Sequence, residues 1–150
     1  NDTEYLPSQW VEAVASFKDP ATYDALLGYF IRGMNRSQTY NVIKDLPGIS
    51  MDKSVDDAWL RARRSHHWER CSMAIIAISY GRQDALEQLI RDMDAKDMER
   101  NSHLRDQAQF AILDHTDVTN AEVDDLKAWY AASKDSLTFD PATKKFTRAK

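Results

Sequence analysis

Cys71 follows His67 by four residues, one helical turn, the spacing at which an imidazole can take the proton of a thiol and leave a nucleophile. A working thiolate needs an exposed, electropositive setting. Cys71 instead shares a helical face with Trp68 and Ile75, so it reads as a small buried hydrophobe, and no catalytic residue is assigned. As the only cysteine it excludes an internal disulfide and any multi-cysteine zinc site. Histidine offers no ligand pattern. His66 and His67 are adjacent, and neighbours on a helix point about 100° apart. His-Glu-x-x-His is absent, and His103 and His115 have no His or Cys partner at ligand spacing. No metal and no cofactor are therefore expected. The paired carboxylates Asp56-Asp57 and Asp124-Asp125 fall near predicted helix N-termini, where negative charge complements the macrodipole without any acid–base role. There is no Gly-x-Gly-x-x-Gly or Walker-type loop, so nucleotide binding has no support.

One charge cluster rises above the background: Arg61, Arg63, Arg64, His66, His67 and Arg70, with Trp59 and Trp68 on either side. Arginine and tryptophan are the residue types that make hot spots in protein interfaces, and arginine with aromatics also holds phosphates and stacks bases. The competing reading is a solvated turn whose cations offset Asp56, Asp57 and Glu69. If the cluster binds, its candidate residues are Arg63, Arg64, His67 and Arg70.

The element that must carry His67 and Arg70 is the most apolar run in the chain, residues 67–81. Trp68, Cys71, Ile75 and Ile78 follow helical spacing, while Met73, Ala74, Ile76, Ala77 and Tyr80 fill the other sides, so this helix must be buried. Gly81 stands where a left-handed cap ends it. Before it, Ser8 opens a short helix with Trp10, Val11, Val14 and Phe17, and Asp19 caps a second at Pro20 that carries Tyr23, Leu26, Leu27, Phe30, Ile31 and Met34. Tyr40, Ile43 and Leu46 form the seam of a third, stopped at Pro47-Gly48. A fourth opens at Asp52 or Ser54 with Val55, Ala58, Trp59 and Ala62 on one face.

After the central helix, Ala85, Leu86, Leu89, Ile90 and Met93 mark another. A polar connection over residues 94–101 leads to a helix with Leu104, Ala108, Ala111, Ile112 and Leu113. Asn120 is the expected cap of the last helix, which bears Val123, Leu126, Trp129 and Tyr130. The period then changes: Leu137-Thr138-Phe139 and Lys145-Phe146-Thr147 flank Asp140-Pro141-Ala142-Thr143, which reads as a turn between two extended segments, with a frayed tail as the alternative. The expected core is Leu26, Leu27, Phe30, Trp68, Ile75, Ile78, Leu86, Leu89, Ile90 and Ile112.

Two short patterns repeat. Asp24-Ala25-Leu26 with Phe30 and Ile31 recurs as Asp84-Ala85-Leu86 with Leu89 and Ile90, and Val55-Asp56-Asp57 before Trp59 recurs as Val123-Asp124-Asp125 before Trp129. With Leu46-Pro47-Gly48-Ile49 and the run from Trp68 through Ile90, this arrangement resembles the HEAT and armadillo-like repeat class over residues 19–135. It departs from the usual pattern in the short segment 38–46 and the long connection 94–101. The resemblance implies an all-α stack of antiparallel hairpins, a short superhelix of about seven or eight helices. The helices starting near residues 38, 67 and 102 would line its concave, partner-binding side. A non-repetitive bundle is the alternative.

The expectation is one domain over residues 1–150, with a lead-in at 1–7, helices over 8–135 and an extended tail at 136–150. A net charge of −4 weighs against a broad surface for nucleic acid. The longest apolar run, residues 73–78, is far short of the ~20 residues a bilayer span needs, and the first residues show no signal-peptide core. The compartment is left open. The expected function is a non-catalytic module or scaffold that binds a protein partner, of unspecified identity, through a concave helical face. Two alternatives stand beside it: a nucleic-acid binder or enzyme of the kind represented by HEAT-like alkylpurine DNA glycosylases, and a structural segment of a longer repeat array.

Overall fold

The computed structural model describes residues 8–31, 52–100, 102–120 and 122–149. The described residues are mostly helical, with a two-stranded antiparallel sheet in the last of them. It divides into two compact units, Asn1–Ile76 and Ala77–Lys150. No helix among the described residues is long and apolar enough to cross a membrane.

In the first unit, α1 (Ser8–Ser16) and α2 (Pro20–Ile31) pack together, and α2 also packs on α3 (Asp52–Ala62). The break between α1 and α2 is made by Lys18, whose φ of 53° reverses the chain, and by Asp19. The Asp19 carboxylate accepts the Ala21 N–H at 3.2 Å while its carbonyl accepts the Tyr23 N–H at 3.1 Å, the N-cap expected beside Pro20. Tyr23, Leu26 and Leu27 of α2 and Val55, Ala58, Trp59 and Ala62 of α3 are buried. Phe17, expected on the apolar face of the first helix, is 74% exposed because α1 ends one residue before it. The third expected helix, near residues 38–46, and the Phe30 side chain lie outside what is described.

The unit boundary falls inside α4 (His67–Ile78). Residues 71–79 are all buried, as an all-round apolar helix requires. Trp68 belongs to the first turn and is only half-buried, so it is not the core residue its spacing suggests.

The second unit contains α5 (Gln83–Met93), α6 (Lys96–Glu99), α7 (Ser102–His115), α8 (Val123–Ser133), β1 (Leu137–Asp140) and β2 (Lys145–Arg148). α5 packs against α6, α7 and α8, burying Ala85, Leu86, Leu89, Ile90 and Met93. The connection read as polar holds α6, a single turn that buries Met98 completely. Asn120 does not cap α8. The helix starts from Glu122, whose N–H donates to the Asn120 side chain at 3.1 Å.

Gly81 closes α4 with φ +85°, the Arg82 N–H reaching the Ala77 carbonyl at 3.1 Å and the Gly81 N–H the Ile78 carbonyl at 3.2 Å, a Schellman motif. The expected hairpin forms, with Phe139 opposite Phe146 and ring centroids 5.0 Å apart. Phe146 is buried, and β2 packs on the end of α7. There the buried His115 donates from Nδ1 to the Lys144 carbonyl at 2.7 Å. A cation–π contact of 5.8 Å sets Lys144 over Tyr80.

Candidate functional site

The arginine cluster lies in the first unit, in the four-residue link between α3 and α4. α3 ends in a tightening turn: the Arg63 N–H keeps a helical bond to the Trp59 carbonyl at 2.9 Å, and the Ser65 N–H then reaches the Ala62 carbonyl at 2.9 Å. Arg61, Arg63 and Arg64 are exposed around this turn, whereas His67 and Arg70 are half-buried in the first turn of α4. The predicted site residues are therefore of two kinds. Arg63 and Arg64 present their charge at the C-terminal end of α3, where the macrodipole favours cations. Arg70 reaches backwards, its Nη1 donating to the Ser65 carbonyl at 3.1 Å, so it braces the link.

His67 turns toward its own helix. Its ring nitrogens lie 3.7 Å (Nδ1) and 3.8 Å (Nε2) from the Cys71 Sγ, and Cys71 is fully buried. Burial removes the open approach a nucleophilic thiol requires, in line with the structural reading of this cysteine. Of the carboxylates expected to offset the cluster, one turns to a lysine outside it and one faces a member of it. Asp57 takes Lys53 at 3.2 Å, and Glu69 lies 3.5 Å from His66.

The second unit holds polar groups that the spacing arguments did not reach. An open cleft of roughly 260 Å³ is lined by Met93, Asp94, Arg105, Glu122, Val123 and Asp124. Asp94 is engaged there by Lys127. These residues come from α5, α7, α8 and the chain before α8, and no sequence spacing links them. Between α5 and α8, the buried Tyr130 hydroxyl donates to Glu87 at 3.3 Å and accepts from Gln83 at 3.5 Å, while Gln83 also donates to the Lys134 carbonyl at 2.7 Å. Burial, with the Glu87 charge, pushes the Tyr130 phenol above its ordinary range, against the lowering pull of Gln83. In the hairpin loop the Asp140 carboxylate accepts the Ala142 N–H and the Thr143 hydroxyl, both at 2.9 Å, and these bonds hold it below the ordinary aspartate value. The first network ties α5 to α8, and the second closes the hairpin turn.

No protein-family model, curated protein or solved structure matches the chain.

Proposed function

We propose that the chain is a short HEAT-like helical module that binds an acidic protein partner and performs no chemistry of its own. The observation that carries this reading is the pair Arg63 and Arg64, both exposed in a short, hydrogen-bonded turn between two helices. A rigid turn presents arginines at a lower entropic cost than a mobile loop, and arginine is enriched among interface hot spots. His67 and Arg70 border the turn and shape it, Arg70 through its bond to Ser65.

The test uses two defined probes, an acidic peptide of alternating Glu and Leu and a mixed-sequence DNA duplex, each titrated against the wild-type chain and the double variant Arg63→Ala/Arg64→Ala. Peptide binding should weaken more than about tenfold in the variant and lose much of its salt dependence, with melting unchanged. Tighter binding of the duplex than of the peptide would move the assignment to nucleic acid. Peptide binding that is absent, or equal in the two proteins, would reduce the cluster to a solvated turn.

A further inference from the structure

We infer that the partner segment held at the arginine turn is amphipathic, an acidic peptide that seats an apolar side chain on Leu60. The inference rests on the acidic-partner reading above and adds to it an anchor residue and the sequence pattern that fits it. Leu60 is 43% exposed, on the side of α3 away from the buried Val55, Ala58, Trp59 and Ala62. Arg61 stands beside it, also exposed. The bond from the Arg63 N–H to the Trp59 carbonyl, at 2.9 Å, carries the helical winding past Ala62, so the exposed Arg64 follows Leu60 by about one turn. All of these residues belong to the first unit.

An exposed leucine alone carries no message. The charge beside it gives this one a direction. Toward the start of α3 the charges are already matched: Lys53 pairs with Asp57 at 3.2 Å, and Asp52 and Asp56 are engaged as well. At the other end, among the described residues, no carboxylate pairs with Arg61 or Arg64, and Glu69 faces His66. The outward side of α3 therefore runs from a neutral beginning, through an apolar centre, to two cations that lack counter-charges. Glutamates alone would match the cations and leave Leu60 in water. Apolar residues alone would cover Leu60 while desolvating guanidinium groups that gain nothing in return. A segment with an apolar side chain and carboxylates about one turn away satisfies both, and that is the pattern of an acidic amphipathic helix. A basic amphipathic segment meets like charge at Arg61 and Arg64.

The experiment titrates two peptides of equal charge against the full chain, one of glutamates with leucine at every third or fourth position and one with serine in place of each leucine. Covering the 43% of Leu60 that is exposed should favour the leucine peptide about three- to tenfold, in proportion to what full burial of a leucine contributes. Leu60→Ser should lose that preference and bind the serine peptide as wild type does, whereas Leu60→Met, which keeps the apolar surface, should retain it. Arg61→Gln/Arg64→Gln should weaken both peptides alike, as added salt should. These positions are exposed, so melting should not change in any of the variants. Equal affinity of wild type for the two peptides, or a leucine preference that survives Leu60→Ser, would overturn the anchor. If Arg63→Ala/Arg64→Ala still weakened both peptides in that case, the acidic-partner reading would stand without it. No binding of either peptide at about millimolar concentration would remove both.

Discussion

Arg63, Arg64 and Arg70 are interchangeable in composition and different in the fold. Arg70 spends one guanidinium hydrogen bond on the Ser65 carbonyl, at 3.1 Å, and so holds the link that displays the other two. Bonds to charged groups contribute about 1.5–3 kcal/mol in favourable settings. Because this one is half-open to solvent, Arg70→Ala should lower unfolding free energy by about 1 kcal/mol in urea denaturation. The exposed Arg64→Ala should stay within about 0.5 kcal/mol of wild type. Equal stability of the two variants would mean that the Ser65 bond adds nothing. The residue types marked the cluster in the sequence, but the division between display and bracing depends on the backbone path through residues 62–66, which no spacing rule supplies.

Among the elements, α4 and its terminator were the most legible, since an apolar run followed by glycine has one economical solution, a buried helix closed by a left-handed residue. The structure adds a second constraint at Gly81: a Cβ there would lie 2.7 Å from the Phe139 ring, so β1 uses the same bare position that ends the helix. Gly81→Ala should therefore cost more than backbone strain alone, in all about 1–3 kcal/mol, and shift the Phe139 ring resonances. A variant as stable as wild type, with those resonances unmoved, would show that both the cap and the contact relax freely. The misses share a cause. α6 reads as a polar connection in the sequence because its buried Met98 has no apolar partner at helical spacing within those four residues. Spacing puts Phe17 on the apolar face of its helix and Trp68 in the core, yet they sit just past one helix end and in the first turn of another, where Phe17 is exposed and Trp68 only half-buried. Periodicity locates the middle of a helix well, but burial at its ends is set by neighbours that a local pattern does not contain.

At the scale of the whole molecule, Asp140 and Tyr130 are shifted groups that act at opposite ends of the pH scale, and both stand in the second unit. Asp140 is held below the ordinary aspartate value by the Ala142 and Thr143 bonds, so its contribution is present above that value and lost as pH falls through the folded-state pKa. Tyr130 is raised above 10.0, chiefly by burial, so the unfolded phenol ionises first and stability is lost as pH rises from there through the folded-state value. Stability set by these groups should be level between the two limits and fall outside them. Two substitutions isolate the limbs. Asp140→Asn should flatten part of the acid limb, since an amide can still accept the turn's bonds but no longer titrates. Tyr130→Phe should remove the tyrosine part of the alkaline limb while losing the Glu87 and Gln83 bonds at every pH. Melting temperatures measured across the full range check both claims through slope rather than absolute stability, which separates titration from the loss of a hydrogen bond. An alkaline slope identical in wild type and Tyr130→Phe would mean that Tyr130 ionises alike in the folded and unfolded chain, and that its place between α5 and α8 is open to solvent.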